Sequence, residues 1–333
     1  MNASRSASIT IAALVGALLI GFAGLLFGAK SMHFDQALTA LFWPGQGIDS
    51  IIVWTLRLPR SIAAFAGGAG LAVSGYLLQS ITRNPLAAPD LTGVTAGAVV
   101  VIVFSFVFLP ALSSVFYPFI GLAGGLAAAA VTFWVARGGQ ASPLHLGLGG
   151  ITISLFLGAI TTYILLLGGP QSPAVLFWLS GGLQGRSWSA LVFILPWAMA
   201  GILGALFCRR ALELLSLGDD AAQAMGLKLS LWKPLFLVLA VCPVAGVTPV
   251  AGPIAFIGLA VPHIVRLLRP QGAAWTILLN VAIGGFIFVT ADVIARSIAA
   301  PRELPVSMVL ALIGGPFFIH LVQRRNFMLG ARA

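Results

Sequence analysis

The sequence predicts an all-α, polytopic membrane fold with about ten transmembrane helices, on a counting basis of roughly 20 residues per crossing. Three observations carry this. Of 333 residues, 59% are hydrophobic and only 8% are charged, against roughly 25% charged in soluble domains, so a water-facing surface cannot be covered. The apolar residues come in long continuous runs, not in the alternating ~10-residue segments of an outer-membrane barrel. The 39 glycines and 19 prolines suit membrane helices that pack closely and bend. Loops this short leave no room for a separate catalytic domain, so residues 1–333 form a single transmembrane domain.

The first run, Ile9 to Gly28, follows a lone arginine, Arg5. Phe27 stands where a signal-peptide cleavage site would need a small residue, so this run is expected to be the first membrane helix. Further spans follow at roughly 61–82, 92–109, 116–136, 144–168, 189–208, 230–246, 250–268, 272–296 and 305–322. An even number of spans puts both termini on one side. With the termini in the cytoplasm, Arg5, Arg83, Arg137, Arg209, Arg210, Lys228, Lys233, Arg266, Arg269, Arg324, Arg325 and Arg332 lie inside. Lys30, Arg57, Arg60, Arg186, Arg296 and Arg302 lie outside, and twelve against six satisfies the positive-inside rule.

Small residues recur every fourth position in Ala66, Gly70 and Ser74, in Gly121 and Gly125, and in Gly150, Ser154 and Gly158. Such stripes are expected to let helix backbones approach. Cys208 and Cys242 are isolated and match no metal or redox spacing. There is no basic run for nucleic acid, only single and paired arginines between apolar spans.

The charges that break the apolar pattern are the informative ones. Arg57 and Arg60, in Arg57-Leu58-Pro59-Arg60, and Arg302, in Pro301-Arg302-Glu303-Leu304-Pro305, sit on the side the orientation rule disfavours. Prolines are expected to hold both segments at helix boundaries. These arginines read either as snorkelling interface residues or as an outward rim for an acidic partner, since the guanidinium fork suits carboxylates. Inside, residues 209–228 are the longest polar interruption and read as two short helices broken at Gly218. Asp219 and Asp220 open the second at its positive end and Gly226 closes it. That knob is either a capped surface helix or a piece that fits a groove on another protein. Arg83-Asn84-Pro85-Leu86-Ala87-Ala88-Pro89-Asp90 forms a stiff inner turn. Gly252-Pro253 through Pro262-His263 punctuates a span, and His263 lacks a second ligand at metal spacing. Asp292 and Arg296, one turn apart near the outer end of the ninth span, are the strong candidate for an intramembrane ion pair. A proton-coupled secondary transporter using Asp292 is the competing reading.

The chain contains no Gly-Lys dipeptide and hence no phosphate-binding P-loop. Neither His-Glu-x-x-His nor Gly-x-Ser-x-Gly occurs, so no catalytic residues are expected and the chain is not read as an enzyme.

Several motifs then stand in order along nearly the whole chain: Arg57-Leu58-Pro59-Arg60, Gly70 to Gly75 leading to Gln79, Arg83-Asn84-Pro85-Leu86-Ala87, Pro89-Asp90-Leu91 with Gly93 and Gly97, Leu217-Gly218-Asp219-Asp220 with Ala224 and Gly226, Gly252-Pro253-Ile254 through Pro262-His263, and Leu304-Pro305-Val306 with Gly314 and Pro316-Phe317-Phe318. In these the sequence resembles the permease subunits of ABC importers for ferric siderophores, heme and vitamin B12, the iron-chelate uptake permease family. The resemblance implies a ten-helix subunit of the vitamin B12 importer type, paired with itself or with a related permease in the bacterial inner membrane. It implies two copies of a separate ATPase carrying ATP and Mg, a periplasmic or lipid-anchored binding protein outside, and no cofactor or metal on this chain. It implies that Arg57, Arg60 and Arg302 contact acidic residues of the binding protein. By the same resemblance residues 211–227, with Leu215, Leu217, Gly218, Asp219, Asp220, Ala224, Met225 and Gly226, match the coupling helices of the ATPase groove, Met225 replacing the more usual leucine. The fifth helix, roughly Leu148 to Leu167, and the segment Ser172 to Gly182 would line and gate the path. The Leu-Gly-Asp-Asp form of the coupling segment is most like the ferric-siderophore branch, with heme and vitamin B12 as alternatives.

Overall fold

The computed structural model describes residues 2–28, 30–45, 47–137, 143–169, 172–316 and 319. The end of the expected tenth span and Arg324, Arg325 and Arg332 lie outside them. In chain order the helices are α1 (Ala3–Leu26), α2 (Phe34–Phe42), α3 (Ile48–Ile51), α4 (Leu58–Thr82), α5 (Val94–Phe108), α6 (Tyr117–Arg137), α7 (Pro143–Leu167), α8 (Ser172–Leu179), α9 (Trp188–Phe207), α10 (Arg209–Ser216), α11 (Asp219–Ala224), α12 (Leu229–Ala251), α13 (Ile257–Leu268) and α14 (Gly272–Ser297), then α15 (Val306–Pro316). No strand occurs among the described residues.

Seven helical stretches are long and apolar enough to cross a membrane, and α5, α13 and α15 are shorter apolar helices at the third, eighth and tenth expected spans. The second span departs most from the sequence reading. It begins at Ile48, because a π-helical segment, Ile52–Arg57, joins α3 to α4 without a break. Pro59 therefore does not mark a boundary: its missing N–H falls in the first turn after the wide π segment, where no regular i−4 bond is lost. The eighth span departs the other way. Residues 250–268 are not one helix, because Gly252 (φ +70°) and Phe256 (φ +69°) turn left-handed and split it between the end of α12 and a twelve-residue α13. The nine residues of α2 reach only about 14 Å at 1.5 Å per residue, too short to cross, and escaped a reading based on span length. Its start is closed by the Gln36 side chain, which accepts the N–H of His33 (3.1 Å).

The bundle is organised around α4, whose most apolar window is 78% buried. Helices α14, α9, α12 and α13 pack on it, α1 covers α14, and α5, α6 and α7 form a second group joined through α12. Three crossings bring backbone onto backbone: Gly68 of α4 on Gly284 of α14, Gly75 of α4 on Gly258 of α13, and Gly97 of α5 on Gly124 of α6. A Cβ at any of these six would strike the opposing carbonyl or a close neighbour. Backbones this close gain dispersion contact where lipid supplies no hydrophobic drive between helices. The expected stripe on α7 is different: Gly150 packs against Leu91, but nothing lies within 4 Å of a Cβ at Gly158.

The Gly75→Ala substitution is therefore expected to lower the melting temperature of the purified protein by an amount equivalent to about 1–3 kcal/mol, the cost of overpacking. Gly158→Ala, with open space around its Cβ, should leave it unchanged. Equal melting of the two variants would remove the crossing from the account.

Candidate functional site

The candidate geometry has a charge cluster at one end of α4, a knob at the other end and a cavity lined by α5, α7 and α8. At the first end, Arg57 closes the π segment, Arg60 lies in the first turn of α4, and Asp292 and Arg296 face them from α14. Arg60 grips Asp292 with Nε on both carboxylate oxygens (2.9 and 3.2 Å) and sends Nη1 to Glu303 (2.7 Å). Arg296 meets the other side of Asp292 (3.4 Å) and donates to Ser61 Oγ (3.1 Å). Gly24 of α1 leaves room for that guanidinium, since a Cβ there would collide with it. Arg57 donates to the carbonyls of Leu25 and Lys30, which fastens the end of α1 to the π segment.

This placement corrects one expectation. Arg57 and Arg60 do not stand on an open rim; they are buried, at 6% and 5% exposure, while Arg302 is exposed. The reason is the acid supply. Only eight Asp and Glu occur in the chain, and two of them, Asp292 and Glu303, are spent here neutralising guanidiniums at the edge of the apolar layer. The Asp292–Arg296 pair of the sequence reading is present, but its tighter partner is Arg60, distant in sequence. With both oxygens taken by guanidiniums, Asp292 is an anchor of the helix pair α4–α14 and not a free carboxylate. Glu303 adjoins Arg302, and its being one of only eight acids in the chain is the sequence signal for this role.

At the opposite end, α10 and α11 meet at Gly218 (φ +111°) and the second ends at Gly226 (φ +87°). Leu215 and Ala222 are buried against the bundle, whereas Leu217 and Met225, at 60% and 62% exposure, point away from it. Ala224, Gly226 and Asp220 are also exposed. Asp219 is paired with Lys233 of α12 (2.6 Å), and Glu213 accepts the N–H of Ala273 at the start of α14 (2.9 Å). The knob is thus held rigidly from beneath while presenting an apolar tip. Cys208 joins α9 to α10, and partial burial pushes its thiol pKa up, away from the reactive thiolate form.

Between the two ends, a cavity of about 540 Å³ is lined by Asp90, Thr95, Gly158, Thr161, Leu176 and Pro253, among others. The fifth span and the short segment after it, widely separated from Asp90 and Pro253 in sequence, here share one wall. Gly158 is open because it faces this space. Asp90, at the end of the Arg83–Asp90 turn, lines this space, and Ser154 of α7 donates to its carbonyl (3.1 Å). The segment after α8 is pinned by Gly182 N–H to Ala251 O (2.7 Å), Trp178 Nε1 to Pro249 O (3.1 Å) and Gln184 Nε2 to Leu304 O (2.9 Å). Among the described residues no cluster of side chains could hold a metal ion.

The model of the FecCD transport family matches residues 10–324. The chain belongs to that family. It is 37% identical over 330 residues to the Fe(3+)-citrate import system permease protein YfmD of Bacillus subtilis (strain 168), covering 97% of this chain and 98% of that protein. It is 36% identical to the ferric enterobactin transport system permease protein FepD of Escherichia coli (strain K12), with 96% of each covered. Among solved structures, an inward-facing conformation of a putative metal-chelate type ABC transporter superposes with a TM-score of 0.80 at 27% identity, over 96% of this chain and 99% of that one. As a member of the FecCD transport family, the chain is a multi-pass membrane permease of a transport system.

The Asp292→Ala variant leaves buried Arg296 without an ion-pair partner among the described residues and Arg60 with Glu303 alone, a loss on the order of 3–5 kcal/mol. It is expected to purify poorly or melt far below the parent, whereas Arg60→Met combined with Asp292→Leu should be milder than Asp292→Ala alone. Additive losses in a double-mutant cycle would show that Arg60 and Asp292 act separately.

Proposed function

We propose that this permease forms the membrane path of an ATP-driven importer for a ferric chelate of the citrate or siderophore type, working with a separate ATPase and a substrate-binding protein. The observation that carries the reading is the match along nearly the whole chain to permeases named for ferric citrate and ferric enterobactin. The apolar tip of the inner knob supports an ATPase contact: Leu217 and Met225 are exposed on a rigid base, which suits insertion into a groove. Residues 211–227, with Gly218, Asp219 and Asp220 shaping the turn, are the coupling segment in this reading.

Outside, Arg302 is the exposed cation available to a binding protein, and Arg57 and Arg60 hold the platform beneath it. The positive-inside count of twelve against six supports cytoplasmic termini. Transport then proceeds by alternating access. ATP closing the ATPase pair displaces the knob, the displacement rearranges the walls of the cavity between α7, α8 and the 252–256 break, and hydrolysis resets the path. Each ligand drives the cycle only by binding one state better than the other. ATP and Mg sit on the ATPase, and this chain needs no cofactor of its own.

A deletion strain is expected to lose uptake of labelled ferric citrate or of a ferric siderophore, with vanadate abolishing the uptake in the parent. Uptake that resists vanadate but collapses with an uncoupler would replace this reading by a proton-coupled transporter. The two surfaces separate by mutation. Arg302→Glu should weaken capture of the binding protein by up to about fivefold at low salt, the scale of one exposed ion pair, while sparing ATPase copurification. Met225→Lys with Asp220→Lys should do the reverse. Binding-protein capture unaffected by Arg302→Glu at low salt would discard the outer assignment.

A further inference from the structure

The cavity bordered by α5, α7 and α8 has a polarity that the roles above leave unused. Among the described residues lining it, Asp90 is the only ionisable one, and no lysine, arginine or histidine stands beside it to offset the charge. Four of the chain's eight acids, Asp49, Asp219, Asp292 and Glu303, lie in ion pairs. Asp90 forms none among the described residues. Apart from three threonines the rest of the wall is apolar, so the field of a carboxylate there is weakly screened.

The hydrogen-bonding groups carry the same bias. Thr161 and Thr162 donate their hydroxyl protons to the carbonyls of Leu157 and Gly158 (2.9 and 3.1 Å), so what they can offer a ligand is oxygen lone pairs. Pro253 has no N–H to give. The Thr95 N–H is taken by the Pro89 carbonyl (3.0 Å), and its hydroxyl, which makes no hydrogen bond among the described residues, is the side-chain donor left. The wall is rich in acceptors, short of donors and negative. A cargo whose surface shows only anionic oxygens meets a carboxylate and no cation. A cargo bearing an ammonium or amide N–H groups meets acceptors. Hydroxamate ligands cancel the charge of ferric iron, whereas citrate and catecholate ligands leave the complex negative.

We propose that this cavity selects ferric chelates of the hydroxamate type, neutral or carrying a pendant ammonium, and rejects citrate and catecholate chelates through Asp90. The proposal rests on the importer reading and narrows its cargo to one branch of the siderophores. Rejection matters as much as attraction, because specificity is a difference between two affinities. The volume of about 540 Å³ is that of a small-molecule site, roughly 300–1,000 Å³.

The test is titration of the full-length permease, in nanodiscs of phosphatidylcholine, with ferrioxamine B, its N-acetyl derivative and ferric citrate, read by quenching of tryptophan fluorescence. The first two share one hydroxamate cage and differ by a single positive charge, so their affinity ratio isolates the carboxylate. Ferrioxamine B is expected to bind about fivefold more tightly than the acetyl form, the scale of one ion pair in contact with water, and both more tightly than ferric citrate. Asp90→Asn keeps the side-chain shape and one acceptor oxygen; it should bring that ratio to unity and strengthen ferric citrate binding, which a purely structural role for Asp90 would not do. If Asp90→Asn does not purify, Thr162→Lys, which sets a cation on an exposed position of the same wall, should reverse the order of ferrioxamine B and ferric citrate. A parent ratio near unity, ferric citrate bound as tightly as the hydroxamates, no saturable quenching by any of the three, or a preference that survives the substitutions overturns the proposal. Uptake by cells separates this from the importer reading. Vanadate-sensitive uptake of ferric citrate at the hydroxamate rate keeps the importer and removes the selectivity. A hydroxamate preference in the nanodisc with no chelate uptake in the cell sinks the importer reading and leaves the preference of the cavity standing.

Discussion

One helix ties the two polar ends of the bundle together. The continuous stretch Ile48–Thr82 is 35 residues long, about 52 Å at 1.5 Å per residue, and so passes through the bilayer with its outer end to spare. Its top carries Arg57, Arg60 and Ser61, and its bottom carries Gln79 and Arg83. For both ends to meet their partners, α4 must be held in one position, and backbone contact at Gly68 and Gly75 holds it. Larger residues there would separate α4 from α14 and α13, and the Arg60–Asp292 bond and the Gln79–Arg266 bond would part together.

The polar groups in the apolar layer follow a consistent rule. Wherever the helices break, the freed backbone groups are taken by protein, as a hydrocarbon surrounding demands. At the 252–256 break, Gly182 donates to Ala251, and Pro89 of the Asp90 turn packs on Gly258 just beyond it. The break, the Asp90 turn and the segment after α8 therefore form one joint beside the central cavity. A rearrangement of any one of them would strip partners from the other two, which is a physical basis for their moving together. The knob is coupled into the same body by the Lys233–Asp219 and Glu213–Ala273 contacts, so a push on Leu217 or Met225 is transmitted to α12 and α14.

The scarcity of acids gives the outer end its character. Asp292 is fully buried between two guanidiniums, so α4 and α14 are joined through it, with a severe penalty if one partner alone is lost. Glu303 differs: at 29% side-chain exposure it links Arg60 to the loop that bears Arg302. The exposed docking candidate is thus mechanically continuous with the buried anchor.

Composition and run length were enough to determine an all-α membrane protein, the approximate place of the spans and the knob broken at Gly218, because lipid forces long apolar helices and glycine forces left-handed turns. The ordered motifs pointed to the importer permeases. What the chain read one residue at a time could not supply was pairing across the fold. Arg60 and Asp292 are separated by 232 positions, and nothing local to either says that the guanidinium turns inward to the carboxylate and not outward to a partner. The π segment that carries the helix past Pro59 and the opening of Gly158 onto a cavity were equally out of reach. Each depends on which neighbour supplies a hydrogen bond or leaves a space, and only the packed bundle decides that.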